Sequence, residues 1–393
     1  MGVLDGIRVL DFGRYIAGPL CSSLLGDLGA EVIRIERVGG GEDRLTAPLG
    51  DDTDAGAGYH AFNRNKKGLT LDPGSPKGRE IVRRLVKTAD IVVVNMPIDA
   101  ITKIGLDYES LTAIKPDIIL IHTSAFGTEG PYMERVGFDG IGQAMNGATY
   151  ISGDERGPRR TTAPYVDVTT AMFNAYGALA ALRYRDQTGE GQKVETNLLR
   201  SALQLTNATL IEQALVQANR YPGGNRMQGA GPSDIHKTTD GWVLVQVVSE
   251  GLFRRWAKLV GAEDLIGDPR FVTDELRGQH NDILSARTDA WISGLTTVEA
   301  LDALGAAKIP AGPVLSPQQA LDDPHINAAK YFYPREYPGL PEPAPIIEPG
   351  ARFSKTPSLR GRPPTVGEHT DEILAGIGYS ADEIAQLRAE GVV

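Results

Sequence analysis

One carboxylate stands out among the residues able to do chemistry. Asp167 lies in Thr161-Thr-Ala-Pro-Tyr-Val-Asp-Val-Thr-Thr, with apolar or neutral neighbours, ahead of a run of small and apolar residues that ends in Arg183-Tyr-Arg-Asp-Gln-Thr-Gly-Glu-Gly-Gln. An aspartate before a helix is a favoured N-cap, worth about 1 kcal/mol. The same helix end favours the ionised form, so a capping carboxylate is also a candidate nucleophile. The local residues alone do not choose between the two roles.

Two cations form a second candidate site. Arg14 sits in the loop Gly13-Arg-Tyr-Ile-Ala-Gly-Pro and Arg37 follows Glu31-Val-Ile-Arg-Ile-Glu. Beside a helix N-terminus, such a pair suits a phosphate. The loop lacks the GxGxxG glycines that admit a dinucleotide pyrophosphate and carries bulky Tyr15 and Ile16 instead, which argues against nicotinamide or flavin binding despite an acidic Glu36 at the end of the second strand. No metal site is expected, because His60, His122, His236, His280, His325 and His369 are scattered and the single cysteine, Cys21, has no partner. A serine hydrolase is disfavoured because GxSxG is absent.

The bulk properties narrow the class further. The chain has 393 residues, 41% of them hydrophobic, and a formal net charge of -10, so a general nucleic-acid or anionic-membrane surface is not expected. The N-terminus lacks signal-peptide character and no apolar run reaches the roughly 18 residues of a membrane span, so a soluble, cytoplasmic protein is expected.

The elements that position these residues alternate. Ile7-Arg-Val-Leu-Asp-Phe and Glu31-Val-Ile-Arg-Ile-Glu read as strands around a helix at 20–28, and further strands are expected at Leu69-Thr-Leu, Ile91-Val-Val-Val-Asn and Ile118-Ile-Leu-Ile-His-Thr. Residues 77–88 carry helical apolar spacing at Ile81, Val82, Leu85 and Val86, and a later helix is expected over 197–217. This pattern predicts an α/β fold, a Rossmann-like, mostly parallel sheet covered on both faces. The Gly- and Pro-rich segment Tyr221-Pro-Gly-Gly-Asn-Arg-Met-Gln-Gly-Ala-Gly-Pro marks a boundary, giving a large domain over 1–220 joined by the returning C-terminus, 330–393, and a smaller domain over 225–325. The proline-rich stretch 334–349 is expected to strap across the large domain, and Ser380-Ala-Asp-Glu opens a last helix as a capping box.

Taken in order, several segments resemble the class III coenzyme A transferases, the group that includes formyl-CoA transferase, carnitine CoA-transferase and, as a side branch, α-methylacyl-CoA racemase. They run along the whole chain: Leu4-Asp-Gly-Ile-Arg-Val-Leu-Asp-Phe, Ala17-Gly-Pro, Leu25-Gly-Asp-Leu-Gly-Ala-Glu-Val-Ile-Arg-Ile-Glu, Asn63-Arg-Asn-Lys-Lys-Gly-Leu-Thr-Leu-Asp, Ala89-Asp-Ile-Val-Val-Val-Asn, Gly137-Phe-Asp, Gly189-Glu-Gly-Gln-Lys-Val, Asp268-Pro-Arg-Phe, Ile309-Pro-Ala-Gly-Pro-Val, Asp323-Pro and Gly367-Glu-His-Thr-Asp-Glu-Ile-Leu. The resemblance implies that Asp167 is the catalytic aspartate, forming a mixed anhydride and then an aspartyl-CoA thioester while moving CoA from an acyl-CoA to a free carboxylic acid. It implies a CoA site of Arg14, Ile16, Ala17, Arg37, Leu71, Asn95, Met96, Ala100, Lys103 and Arg135, with CoA as substrate and no permanent cofactor. It implies a reduced glycine lid at Gly229 and Gly231, for which a plain interdomain turn is the alternative, and an interlocked homodimer. Arg44, Arg159 and Arg160 are candidates for holding an acceptor acid.

The racemase branch carries a histidine ahead of the aspartate in the Gly-His-Asp motif, as a general base. Here Phe138 fills that place, so racemisation is disfavoured. The alternatives to the transferase are therefore a racemase-type enzyme and a catalytically silent CoA-binding homologue.

Overall fold

The computed structural model describes residues 2–393. The chain divides into two compact units, one made of residues up to 146, 162–205 and 327–393, the other of 147–161 and 206–326. The second unit is thus wider than the expected 225–325, since 147–161 and 206–224 group with it, while the C-terminal segment from 327 belongs to the first unit.

The first unit is built on six strands, β1 (Arg8–Asp11), β2 (Glu31–Glu36), β3 (Lys66–Thr70), β4 (Ile91–Val94), β5 (Ile119–Ser124) and β6 (Lys193–Asn197). Their order is β3-β2-β1-β4-β5-β6 and every pairing is parallel. The α/β class and the parallel sheet expected from the alternation are both present. β4 is buried throughout, as a central strand covered on both faces must be. β3 starts three residues earlier than expected, and β6 has no counterpart in the sequence reading because Lys-Val-Glu-Thr-Asn alternates too weakly to signal a strand.

Helices α1 (Ala17–Asp27), α2 (Ala57–Phe62), α3 (Pro76–Thr88), α4 (Ile98–Lys103), α5 (Tyr108–Ile114) and α6 (Asp139–Met145) follow the strands; α7 (Ala148–Ile151) lies in the second unit, and α8 (Tyr165–Thr188) and α9 (Leu198–Val216) come after it. α3 shows how the sequence specifies an element: the Ser75 hydroxyl accepts the Gly78 N–H, Pro76 opens the first turn, and Ile81, Val82, Leu85 and Val86 are buried. α1 begins three residues before the expected start, which puts Pro19 in a first turn where its missing N–H is harmless.

α8 carries Asp167. Its buried face is Val166, Thr170, Ala171, Asn174, Ala175, Ala178, Ala181 and Leu182, and the alanines let it lie close to α1 over one face of the sheet. Asn174 fixes it further, donating to the Thr123 hydroxyl at 2.8 Å and accepting from Thr196. Gly189 ends the helix in the left-handed conformation that glycine adopts freely.

The second unit holds an antiparallel sheet, β7 (Ser233–Lys237), β8 (Trp242–Gln246) and β9 (Ala311–Pro313), with α10 (Glu250–Val260), α11 (Asp274–Gln279), α12 (Asn281–Ile292) and α13 (Thr297–Ala306). Phe253, Trp256, Phe271 and Leu284 fill its core with Val243 and Val245. After α14 (Pro317–Asp322) and α15 (Pro324–Ala328), the proline-rich stretch forms a hairpin of β10 (Phe332–Arg335) and β11 (Ala344–Ile347), and α16 (Thr370–Gly376) and α17 (Ala381–Ala389) end the chain. The Ser380 capping box is present. Among the described residues no helix is long and apolar enough to cross a membrane.

Candidate active site

In a parallel sheet whose order reverses at one strand, ligands bind outside the carboxyl ends of the strands at that reversal. Here β1 pairs with both β2 and β4, so the reversal lies between β1 and β4. Two of the expected residues meet there: the Asn95 side chain accepts the Arg14 N–H at 2.7 Å and donates to the Arg14 carbonyl at 2.8 Å. This joins the loop after β1 to the loop after β4.

The loop is held by a buried ionic cluster that the sequence reading did not identify. Asp11, at the end of β1, accepts the Gly13 N–H at 2.8 Å, and its other oxygen pairs with Lys66 Nζ at 2.7 Å. Lys66 also reaches the Pro19 carbonyl at 2.7 Å and Asn63 at 2.8 Å. Arg34, from β2, donates to the Gly13 carbonyl at 2.8 Å and pairs with Asp43 at 2.6 Å, and Asp43 accepts the Tyr15 N–H at 3.2 Å. Burial alone would raise the Asp11 pKa, but Lys66 and Arg34 outweigh it and hold the carboxylate below its ordinary range. Burial lowers Lys66 to about 8, against the pull of Asp11. The backbone of Gly13, Arg14 and Tyr15 is thus clamped by the side chains of Asp11, Arg34, Asn95 and Asp43, and Tyr15 stands in the left-handed region at φ 61°.

Several residues expected to contact CoA are engaged within the fold. Arg14 folds back, its Nη1 donating to the carbonyls of Phe12, Gly13 and Ile35, so this group braces its own loop. Leu71 has no exposed side chain and packs in the core with Leu10 and Leu69, which leaves only its main chain to face a ligand. Asn95 is committed to Arg14. Ile16, Ala17, Met96 and Ala100 occupy the loops and first turns past β1 and β4, and Arg37, Lys103 and Arg135 are exposed cations on the same unit. Arg37 donates to the Gly40 carbonyl, and Arg135 stacks on Tyr132 at 4.0 Å.

Asp167 is not the cap of α8. The N-cap position is Pro164, which supplies no capping side chain, and Asp167 stands in the first turn. The cap comes from α6: Asp139 Oδ1 accepts the N–H groups of Val166 at 2.7 Å and Asp167 at 3.1 Å, while its Oδ2 accepts from Gln143 at 2.5 Å. The two helices approach so closely that a Cβ on Gly142 would lie 2.8 Å from Val166 Cγ1. Ala17 joins Val166, Leu198 and Ala202 in one apolar cluster, so the loop after β1 reaches the same place.

This arrangement reverses the expected charge behaviour. Burial, reinforced by the Asp139 carboxylate, raises the Asp167 pKa from 3.8 to about 7, and the Asp139 backbone N–H pulls only partly back. Desolvation and a like charge win over the helix end, so the carboxylate is poised near neutrality and not held fully ionised.

Elsewhere, Arg44 is buried and bonded to Glu36, Tyr59 and the Pro364 carbonyl, which leaves it no part in binding an acid. Arg159 and Arg160 are exposed in the second unit, Arg159 pairing with Asp154 at 2.8 Å. Around Gly229 and Gly231, Asn281 donates to the Met227 carbonyl and Arg220 to that of Gln228, and a Cβ on Gly231 would meet the Arg277 carbonyl at 2.8 Å. These ties fasten the segment within the second unit. Cys21 is buried in α1 and burial raises its thiol, which leaves it protonated and inert. No group of three or more His, Cys, Asp or Glu side chains converges among the described residues.

The fold and this edge define a Rossmann-like α/β protein with a ligand crevice at the sheet's reversal, and comparison with known proteins gives the family. Residues 4–370 match CoA-transferase family III, and the chain belongs to that family. It is 34% identical to the succinyl-CoA--D-citramalate CoA-transferase of Chloroflexus aurantiacus, over 99% of this chain and 98% of the relative. It is 33% identical to the succinate--glutarate CoA-transferase of Agrobacterium fabrum, over 95% of each. A CAIB/BAIF family protein from Brucella suis superposes with a TM-score of 0.84 at 30% identity, over 96% of this chain and 99% of that one. The protein is therefore an enzyme of the transferase class that acts on CoA thioesters.

Proposed function

We propose that the enzyme moves CoA from succinyl-CoA to a small dicarboxylic acid, with Asp167 as the nucleophile. The observation that carries the mechanism is the Asp167 carboxylate itself, seated at the first turn of α8 with its backbone fixed by Asp139 and its pKa raised to about 7. The substrate class rests on the relatives named for citramalate and glutarate, both dicarboxylic acids, with succinate or its CoA ester as the other partner.

In this reading an Asp167 oxygen attacks the thioester carbonyl of the donor, and the CoA thiolate leaves. The thiolate then attacks the Asp167 carbonyl of the anhydride, releasing succinate and forming the aspartyl-CoA thioester. The acceptor carboxylate attacks that thioester to give a second anhydride and free thiolate, which takes the acceptor acyl group and regenerates Asp167. A carboxylate stripped of part of its hydration is a stronger nucleophile than one in water, which is the use of a raised pKa here. Arg37, Lys103 and Arg135 are the exposed cations suited to the CoA phosphates, with Ile16, Ala17, Met96 and Ala100 lining the approach. Arg14 and Asn95 shape the loop that receives it.

The enzyme works as a homodimer in this account. The face of α8 opposite α1 exposes Met172, Phe173, Tyr176 and Leu179, and α9 exposes Leu205, Ile211 and Leu215, apolar surface that a monomer would leave in water. Light scattering on the eluted protein tests this, a mass of one chain being the contrary result. The chemistry is tested by Asp167→Ala, which should retain CoA binding and lose transfer. Unchanged transfer would sink the mechanism.

A further inference from the structure

Tyr15 and Phe138 form an edge-to-face pair with ring centroids 5.5 Å apart. The fold does not need it. Tyr15 is 39% and Phe138 63% exposed, so neither ring fills the core. Tyr15 also holds a left-handed backbone, which a bulky residue rarely adopts, and the Asp43 and Asn95 clamps keep it there. Strain retained by surrounding bonds, in a residue that contributes nothing to the core, points to a use for its position.

Each ring adjoins, along the chain, a residue that contacts the first turn of α8, where Asp167 stands. Phe138 directly precedes Asp139, whose carboxylate touches the Asp167 N–H at 3.1 Å. Tyr15 lies two residues before Ala17, which packs on Val166 beside Asp167. The ring pair therefore links the loop after β1 to the start of α6, and both of these segments also meet the first turn of α8.

We propose that Tyr15 and Phe138 form an aromatic screen that keeps water from the covalent intermediates on Asp167 and limits the width of the acyl group admitted there. This rests on the mechanism proposed above. The reaction suppressed is hydrolysis: water adds to the aspartyl-CoA thioester carbonyl, the C–S bond breaks, and the Asp167 carboxylate, free CoA thiol and one proton result. The anhydride is hydrolysed in the same way to the Asp167 carboxylate, the donor acid's carboxylate and two protons. Both require only solvent water, so suppression depends on exclusion.

The test uses the full-length enzyme with succinyl-CoA, measuring thiol release without acceptor against CoA transfer to glutarate. Tyr15→Ala and Phe138→Ala should each raise the ratio of hydrolysis to transfer at least tenfold and widen tolerance for branched acceptor acids. Tyr15→Phe, which keeps the ring, should retain the parent ratio. A purely structural role would lower both rates together, so an unchanged ratio in both alanine variants overturns the screen, as does an equally raised ratio in Tyr15→Phe. Adding Asp167→Ala to Tyr15→Ala separates the two proposals. Loss of thiol release supports hydrolysis through Asp167, whereas persistent release refutes the covalent mechanism.

Discussion

Replacing Asp167 by Asn should make the free enzyme more stable at neutral and alkaline pH while abolishing transfer. The carboxylate's pKa rises from 3.8 to about 7 because burial and the Asp139 charge disfavour the ionised form. A displacement of that size corresponds to roughly 4 kcal/mol against the charged folded state. Asp167 is only half-buried, and solvent screening trims the realisable gain to about 1–3 kcal/mol. The sign follows from linkage. A group with a raised folded pKa contributes most below its unfolded value, and that contribution is lost as pH rises through the folded value. Asparagine has no charge to bury, so the two proteins should match near pH 4, diverge between 4 and 7, and hold a constant difference above about 7. Urea unfolding followed by circular dichroism from pH 4 to 9 reads this directly. A variant less stable than the parent at pH 8, or a difference independent of pH, would refute the reasoning.

Four further outcomes follow from the same geometry. The kcat/KM for succinyl-CoA should fall as pH drops through about 7, because the deprotonated Asp167 attacks, and Asp139→Asn should move that acid limb to lower pH by removing the second cause of the shift while its Oδ1 still accepts the two N–H groups. Asp139→Ala leaves the Val166 and Asp167 N–H groups without their cap and should cost about 1–2 kcal/mol of stability, measured by thermal unfolding. Asn95→Ala removes two hydrogen bonds to Arg14, each worth about 1 kcal/mol, and should raise KM for the CoA donor by roughly 5- to 30-fold with a smaller effect on kcat. Asp11→Ala strands the buried Lys66 and should destabilise by about 3–5 kcal/mol, read from the urea midpoint.

The parallel sheet was legible because β4 is a continuous apolar run and β1 and β5 carry apolar stretches at Val9-Leu10 and Ile119-Leu-Ile, a pattern set by burial on both faces. Asp167 was legible as an isolated carboxylate at a helix start, but its role at that start was not. The residue that caps α8 lies 28 positions earlier in the chain, and Asp139 looked like part of a family motif with no partner. The Asp11–Lys66 pair spans 55 positions and was equally hidden, although a charged residue closing an apolar strand, as Asp11 does, is a signal that a buried partner must exist. Local propensity also places an arginine at a loop tip in water by default; only the tertiary fold turns Arg14 onto three carbonyls. The division of the chain was the least legible feature, since α9 runs unbroken across the boundary between the units at 205–206.

The most direct test of the central claim is to trap the intermediate. Enzyme incubated with succinyl-CoA is treated with hydroxylamine, digested and sequenced by mass spectrometry. A hydroxamate should form on Asp167, and only when the thioester is present. Turnover of succinyl-CoA with Asp167 unmodified, or modification at another carboxylate instead, would contradict it.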